Sequence, residues 1–335
     1  PDYTHQTVLD EPVWADPSDY IGSAAQENWN EGRRKSLVGT YDISAQDGLP
    51  AAPFGRNGIG GRGLLGRYGP ANKAVDVLMT SEASSEDGQK GFYVFCILKG
   101  QDRRAAMCGG HVEWSDHEPE GGYNVSEDLI AEMRAKELLE EMLSGAIKLL
   151  PDYQAQADGD FTHAVAVKES SRGQPVGAEE KETLKRQIEA GIKVKQVQAE
   201  DPLFYDALVA KMRSLKNFYE GPVPSSGINT NHAWIETYVA ALDLDELVDD
   251  VLNLPQNKGQ YSFSAGDDAK GVAQFRLTPS FIEASWPSHR ALFVLAAANY
   301  LLNQNEKNIQ PAPEILAQLE EVADYAQKLP IKLSP

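Results

Sequence analysis

The chain has 335 residues and sets 31 Lys and Arg against 50 Asp and Glu, a formal net charge of −19. That acidity counts against a dedicated binder of nucleic acid or of anionic membrane, whose affinity comes largely from neutralising phosphates. The apolar share of 41% is enough for a packed core. The two cysteines, Cys96 and Cys108, exclude a disulfide scaffold or a four-cysteine zinc site.

No run approaches the roughly 18 apolar residues that a membrane span needs, and the polar start reads as lacking a signal peptide. The expectation is a soluble protein of the cytoplasm or another reducing compartment, with neither membrane nor polymeric nucleic acid as partner. Residues 1–72 hold scattered aromatics among turn formers and read as a small N-terminal domain. Within them the stretch 55–70 is rich in glycine and carries Arg56, Arg62 and Arg67, which could meet an anion or dock a domain. It lacks the Gly-Lys-Ser/Thr ending of a phosphate-binding P-loop.

Val75–Met79 and Phe92–Leu98 read as strands around a polar loop, the second apolar enough to be buried on both faces. Lys99, Arg103 and Arg104 follow, then Gly109 and Gly110, a turn whose backbone N–H groups could approach a phosphate. Leu129 to Leu150 reads as a helix, capped by Asn124 or Ser126 and stopped by Pro151. The polar stretch 152–198 reads as an insertion containing a charged helix near Glu179–Ala190. A helix over Pro202–Tyr219 and strands over Ala233–Leu242 and Tyr261–Phe263 come next. Helices over Arg290–Asn303 and Pro313–Lys328 make a C-terminal hairpin.

The helix after residue 129 is the most informative stretch. At helical pitch Glu137, Glu140 and Glu141 share one arc, related by three- and four-residue spacings. Leu138, Leu139, Met142 and Leu143 take the opposite side and suit a sheet. Three like charges together repel, and a hard divalent cation such as Mg²⁺ or Mn²⁺ turns that repulsion into binding. An acidic solvated face is the other reading, and the helix alone leaves both open. His111 and His117 do not complete a zinc pattern.

The run Gly110 … Lys136-Glu137-Leu138-Leu139-Glu140-Glu141 resembles the Nudix box, with Lys136 where the family has arginine and a longer loop that puts a second insertion near 114–123. Other blocks strengthen the likeness: Val13-Trp14-Ala15-Asp16-Pro17, Gly61-Arg62-Gly63-Leu64-Leu65-Gly66-Arg67-Tyr68-Gly69-Pro70, Asn229-Thr230, Ala233-Trp234-Ile235-Glu236-Thr237, Ala265-Gly266-Asp267-Asp268 and Ser288-His289. Together they are similar to the Nudix branch that contains ADP-ribose pyrophosphatases and the cytosolic domain of an ADP-ribose-gated cation channel.

The resemblance implies an α/β fold of the α+β kind, a mixed sheet between helices. A Nudix domain over 73–300 would follow the N-terminal domain, with a helical extension over 301–335. It implies hydrolysis of ADP-ribose to AMP and ribose 5-phosphate, dependent on Mg²⁺ or Mn²⁺ held by Glu137, Glu140 and Glu141, the catalytic set. A non-catalytic ADP-ribose sensor, or a hydrolase of another nucleoside diphosphate derivative such as NADH, are the alternatives. Candidate substrate contacts are Arg56, Arg62, Gly109, Gly110, Asn231, Glu236, Asp267, Trp286 and His289. Glu236 could equally be a structural hydrogen-bonding group, the Asp267 turn could hold ribose, and Trp286 could stack on adenine or close the core. Ile228 stands where the family has an arginine.

Overall fold

The computed structural model describes residues 36–45, 48–55, 71–84, 90–112, 125–224, 226–255, 257, 261–266 and 269–328. Arg56, Arg62, Arg67, Asp267 and the segment 114–123 lie outside them. Two short strands, β1 (Asp42–Ile43) and β2 (Pro50–Ala51), pair antiparallel. The main strands are β3 (Ala71–Ser84), β4 (Lys90–Lys99), β5 (Arg104–Ala106), β6 (Cys108–His111), β7 (Asn217–Pro222), β8 (Trp234–Asp243) and β9 (Val272–Arg276). They form a mixed seven-stranded sheet in the order β5-β4-β3-β8-β7, with β6 also paired to β3 and β9 to β4.

The helices are α1 (Glu127–Leu138), continued by a π turn at Leu139–Leu143 and a 3-10 turn at Ser144–Ala146. After these come α2 (Pro151–Arg172), α3 (Ala178–Glu200), α4 (Pro202–Ser214), α5 (Leu244–Leu247), α6 (Pro279–Ala284), α7 (Arg290–Glu306) and α8 (Pro313–Ala326). The chain forms two compact units. The first takes 1–76, 110–130 and 217–239, the second 77–109, 131–216 and 240–335.

In the second unit β4 is the central strand its apolar run foretells. It pairs antiparallel with β3 through Met79↔Phe95, with β9 through Phe95↔Gln274 and with β5 through Ile97↔Ala106. Phe92, Val94, Cys96 and Ile97 are buried. One core joins Val77, Met79 and Ile97 to Leu138, Leu139, Met142 and Leu143, and to Phe204, Leu208 and Met212 of α4. The apolar stripe opposite the acids therefore packs on the sheet as its period requires. Elsewhere in this unit Gln318 of α8 is buried, accepting from Phe92 N–H at 3.0 Å and donating to Phe92 O and Leu277 O at 2.7 Å each.

Three expected elements end differently. The helix predicted to Leu150 stops at Ala146, where Ile147 turns extended, and Pro151 opens α2 instead. The helix predicted to Tyr219 stops at Ser214, and Asn217–Pro222 is strand β7. Tyr261–Phe263 is irregular, not a strand: Tyr261 stacks on Phe204 at 3.6 Å between ring centroids, and its hydroxyl donates to Asp201 at 2.9 Å. In the first unit Tyr41, Leu49, Ala52, Ala71 and Trp234 form a separate small core.

Candidate active site

The helix changes pitch where its acids are densest. Residues up to Leu138 are ordinary α-helix, and the π turn begins at Leu139. Such a turn carries one extra residue per hydrogen-bonded ring and is found often at functional sites. Its carbonyls need donors from elsewhere, and the segment 264–266 supplies them. Ser264 N–H donates to Met142 O at 2.7 Å and Gly266 N–H to Glu141 O at 3.1 Å, while Gly145 N–H returns a bond to Ser264 O at 3.3 Å. Ser144 Oγ donates to Glu140 O at 2.7 Å. The approach is so close that a Cβ at Gly266 would overlap Ser144 Oγ and the Glu140 carbonyl.

The carboxylates gather on this turn. Glu141 is 2% exposed: one oxygen accepts from Gly109 N–H at 2.8 Å, the other pairs with Lys99 Nζ at 2.6 Å. Glu140 lies 3.9 Å from Lys136 Nζ. Burial, then the charges of Glu141 and Glu140, push the Glu137 carboxyl well above the usual range, with Lys99 and Lys136 acting against them. The buried Cys108 thiol, which hydrogen-bonds Glu141, is raised by burial first and then by Glu141 and Glu137.

Hard oxygens on consecutive turns, one held against its preferred charge, are a donor set suited to Mg²⁺ or Mn²⁺. With the side chains as they stand, Lys99 and Lys136 supply the positive charge. Among the described residues no three His, Cys, Asp or Glu side chains converge on one metal position.

Gly109 and Gly110 need correcting: they form part of strand β6, not a turn, and the Gly109 N–H is engaged by Glu141 instead of being offered to a phosphate. Next to them Met107 N–H donates to His289 Nδ1 at 2.9 Å, so the neutral imidazole carries its proton on Nε2. Trp286 donates its backbone N–H to Ala105 O at 2.8 Å, and its half-buried ring packs on the main core and against Gly100. Backbone groups of residues 105, 107 and 109, from β5 through the break at Met107 into β6, thus hold Trp286, His289 and Glu141 to one stretch of chain.

Glu236 and Asn231 belong to the first unit. Glu236 is fully buried and accepts from Ser36 Oγ, Lys73 Nζ, Leu37 N–H at 2.6 Å and Trp234 Nε1 at 3.0 Å. Its oxygens are engaged by protein donors, which is the structural one of its two considered roles. Asn231 is buried in a tight turn, its carbonyl accepting from Ala52 N–H at 3.0 Å, and the adjacent His232 ring meets Pro50 O at 2.8 Å. Lys99 was legible only as part of a basic cluster and Cys108 only as one of two cysteines; no local spacing links either to Glu141.

Sheet, helices and carboxylate turn make a mixed α/β architecture consistent with a Nudix-like fold. Residues 1–69 match the family described as NUDT9-like, N-terminal domain. The chain is 37% identical over 154 residues, 44% of its length, to a protein of Rattus norvegicus named ADP-ribose pyrophosphatase, mitochondrial. It is 35% identical over 33% of its length to a transient receptor potential cation channel subfamily M member-like 2 of Nematostella vectensis, and 34% identical over 32% to a putative nudix hydrolase 6 of Caenorhabditis elegans. The aligned parts make up 41%, 8% and 41% of those relatives. The resemblance read from the sequence is borne out. No helix among the described residues is long and apolar enough to cross a membrane.

Proposed function

We propose that the chain is a divalent-metal-dependent hydrolase that cleaves the pyrophosphate of ADP-ribose by water attack, releasing AMP and ribose 5-phosphate. The observation that carries this reading is the gathering of Glu137, Glu140 and Glu141 on one turn, with Glu137 buried and its carboxyl pushed up first by that burial and then by the other two charges. Mg²⁺ or Mn²⁺ held by these three carboxylates would neutralise the diphosphate and lower the pKa of a bound water. The Gly109 N–H fixes one oxygen of Glu141, and the Met107 N–H holds the ring of His289, whose substrate contact rests on the resemblance. Arg56, Arg62, Asn231, Asp267 and Trp286 stay assigned to substrate contact by the resemblance alone, whereas Glu236 is assigned to its buried network. The match over 1–69 supports a domain boundary near residue 72, ahead of the hydrolase region 73–300 and the extension 301–335. The unbridged thiols of Cys96 and Cys108 suit a reducing compartment; the rat relative is named mitochondrial.

Release of AMP from ADP-ribose with Mg²⁺, abolished by chelator and by Glu140→Gln, tests the proposal. A panel with NADH and sugar nucleotides, compared by kcat/KM, tests the substrate. The second reading, an ADP-ribose-binding module without turnover, is favoured by the pairing of Glu141 and Glu140 with lysines. Calorimetric binding of ADP-ribose with no AMP formed would decide for it.

A further inference from the structure

The stretch read as an insertion folds as two long antiparallel partners, α2 and α3, joined through Gly173 in a left-handed cap. Most of α2 is polar and exposed. The C-terminal half of α3 is different, burying Ala190, Ile192, Val194, Gln196 and Val197. Val194 and Val197 enter the same core as Leu139, Met142 and Leu143.

This half of α3 holds the end of the carboxylate turn and the chain that leaves it. Lys193 Nζ donates to Ser144 O, the carbonyl just past the π turn, at 2.9 Å. Gln196 donates to Lys148 O at 3.2 Å and accepts from Leu150 N–H at 2.9 Å, fixing the chain as it leaves the 3-10 turn. At Gly191 a Cβ would find Glu140 Oε1 3.7 Å away. Placing an ammonium where burial disfavours its charge is costly unless the bond it makes matters. An aliphatic residue at position 193 would cover the same core without that cost.

We propose that α3 is a positioning element for the carboxylate turn: Lys193 fixes the carbonyl just past it, Gln196 fixes the chain beyond, and the small Gly191 leaves room beside Glu140's carboxylate. The insertion thereby sets how tightly Glu140 and Glu141 hold a divalent ion. This inference rests on the metal-dependent reading above, and the experiment separates the two.

Mn²⁺ is titrated calorimetrically into the full chain, with thermal melting in chelator as the control for folding. Lys193→Met should weaken Mn²⁺ binding about tenfold, the size of effect typical of residues that orient metal ligands. Lys193→Arg should restore most of it, because a guanidinium can still donate to Ser144 O. Gly191→Ala should bind normally, since 3.7 Å is ordinary contact, whereas Gly191→Leu should displace Glu140 and weaken binding at least as much as Lys193→Met. Unchanged affinity in both Lys193→Met and Gly191→Leu overturns the proposal. If Gly191→Leu fails to fold, the Lys193 pair decides: loss with Met and recovery with Arg support it, and no loss refutes it. If the unaltered protein binds no Mn²⁺, the metal-dependent reading itself falls and the inference with it.

Discussion

A single methyl group at Gly266 should break the brace of the carboxylate turn. The Cβ of Gly266→Ala would stand closer than 3.0 Å to both Ser144 Oγ and the Glu140 carbonyl. The hydroxyl can rotate away. The carbonyl cannot, because it belongs to the π turn whose inner face is packed on the sheet. Relief requires the 264–266 segment to lift, stretching the bonds at 3.1 Å to Glu141 O and 2.7 Å to Met142 O. Overpacking of this kind costs about 1–3 kcal/mol, and a lost hydrogen bond adds about 1. The sum, about 2–4 kcal/mol, corresponds to a melting temperature lower by roughly 3–6 °C at this size. Scanning calorimetry in chelator measures it. Gly159→Ala is the matched control: it lies within α2 with nothing within 4 Å of its would-be Cβ. There the gain in helix propensity should stabilise by about 1 kcal/mol. The same substitution thus has opposite signs at two positions. Gly266→Ala melting within about one degree of the unaltered protein, or rising alongside Gly159→Ala, would refute the brace.

Glu137→Gln removes a charge that burial, Glu141 and Glu140 all disfavour. A carboxyl raised in the fold contributes stability at low pH that is lost as pH rises through its folded value, so in chelator at neutral pH the variant should melt above the unaltered protein and gain less from added Mn²⁺. A lower melting temperature in chelator would contradict this. Glu236→Gln leaves the buried Lys73 ammonium facing a neutral amide; losing one partner of a buried pair should cost about 3–5 kcal/mol in urea unfolding, and unchanged stability would dissolve the network. Burial, helped by the charge of Glu236, raises the phenols of Tyr219 and Tyr238 to about 12, Glu220 also acting on Tyr238. Their contribution is present below pH 10 and lost as pH rises toward 12, so Tyr219→Phe/Tyr238→Phe should lose less stability over that window, read from urea midpoints.

What the sequence discloses is what short-range pattern controls. The apolar run Phe92–Leu98 became the central strand because its β-favouring composition and its flanks are local. The stripe of Leu138, Leu139, Met142 and Leu143 was legible for the same reason, as was the shared face of the three acids. The pitch change at Leu139 was not. It depends on N–H groups of Ser264 and Gly266, far along the chain, which no helical period can reveal. Tyr261–Phe263 was misread for a related cause: Tyr261 is engaged by Phe204 and Asp201, and Phe263 by Phe95. The Gly109-Gly110 pair suggests a phosphate turn by composition, yet its first N–H is committed to a carboxylate brought in by tertiary packing.

Besides the uncharged Gly109 and Cys108 bonds to Glu141, two kinds of contact hold the acidic turn, and they should respond to metal in opposite ways. Those on backbone carbonyls, from Ser264, Gly266 and Lys193, order the turn without using a carboxylate oxygen. Those on the carboxylates, from Lys99 and Lys136, supply the charge a divalent ion would bring. A carbonyl brace therefore helps binding, and a carboxylate partner competes with it. Lys99→Met separates the two ideas. It leaves Glu141 and Glu137 facing each other with less compensation, so the protein should melt lower in chelator. It also removes the competitor at 2.6 Å from Glu141, so Mn²⁺ should bind more tightly and raise the melting temperature by more than in the unaltered chain. Weaker Mn²⁺ binding in this variant would show that Lys99 positions Glu141 for the ion, and the division between bracing and competing contacts would have to be redrawn.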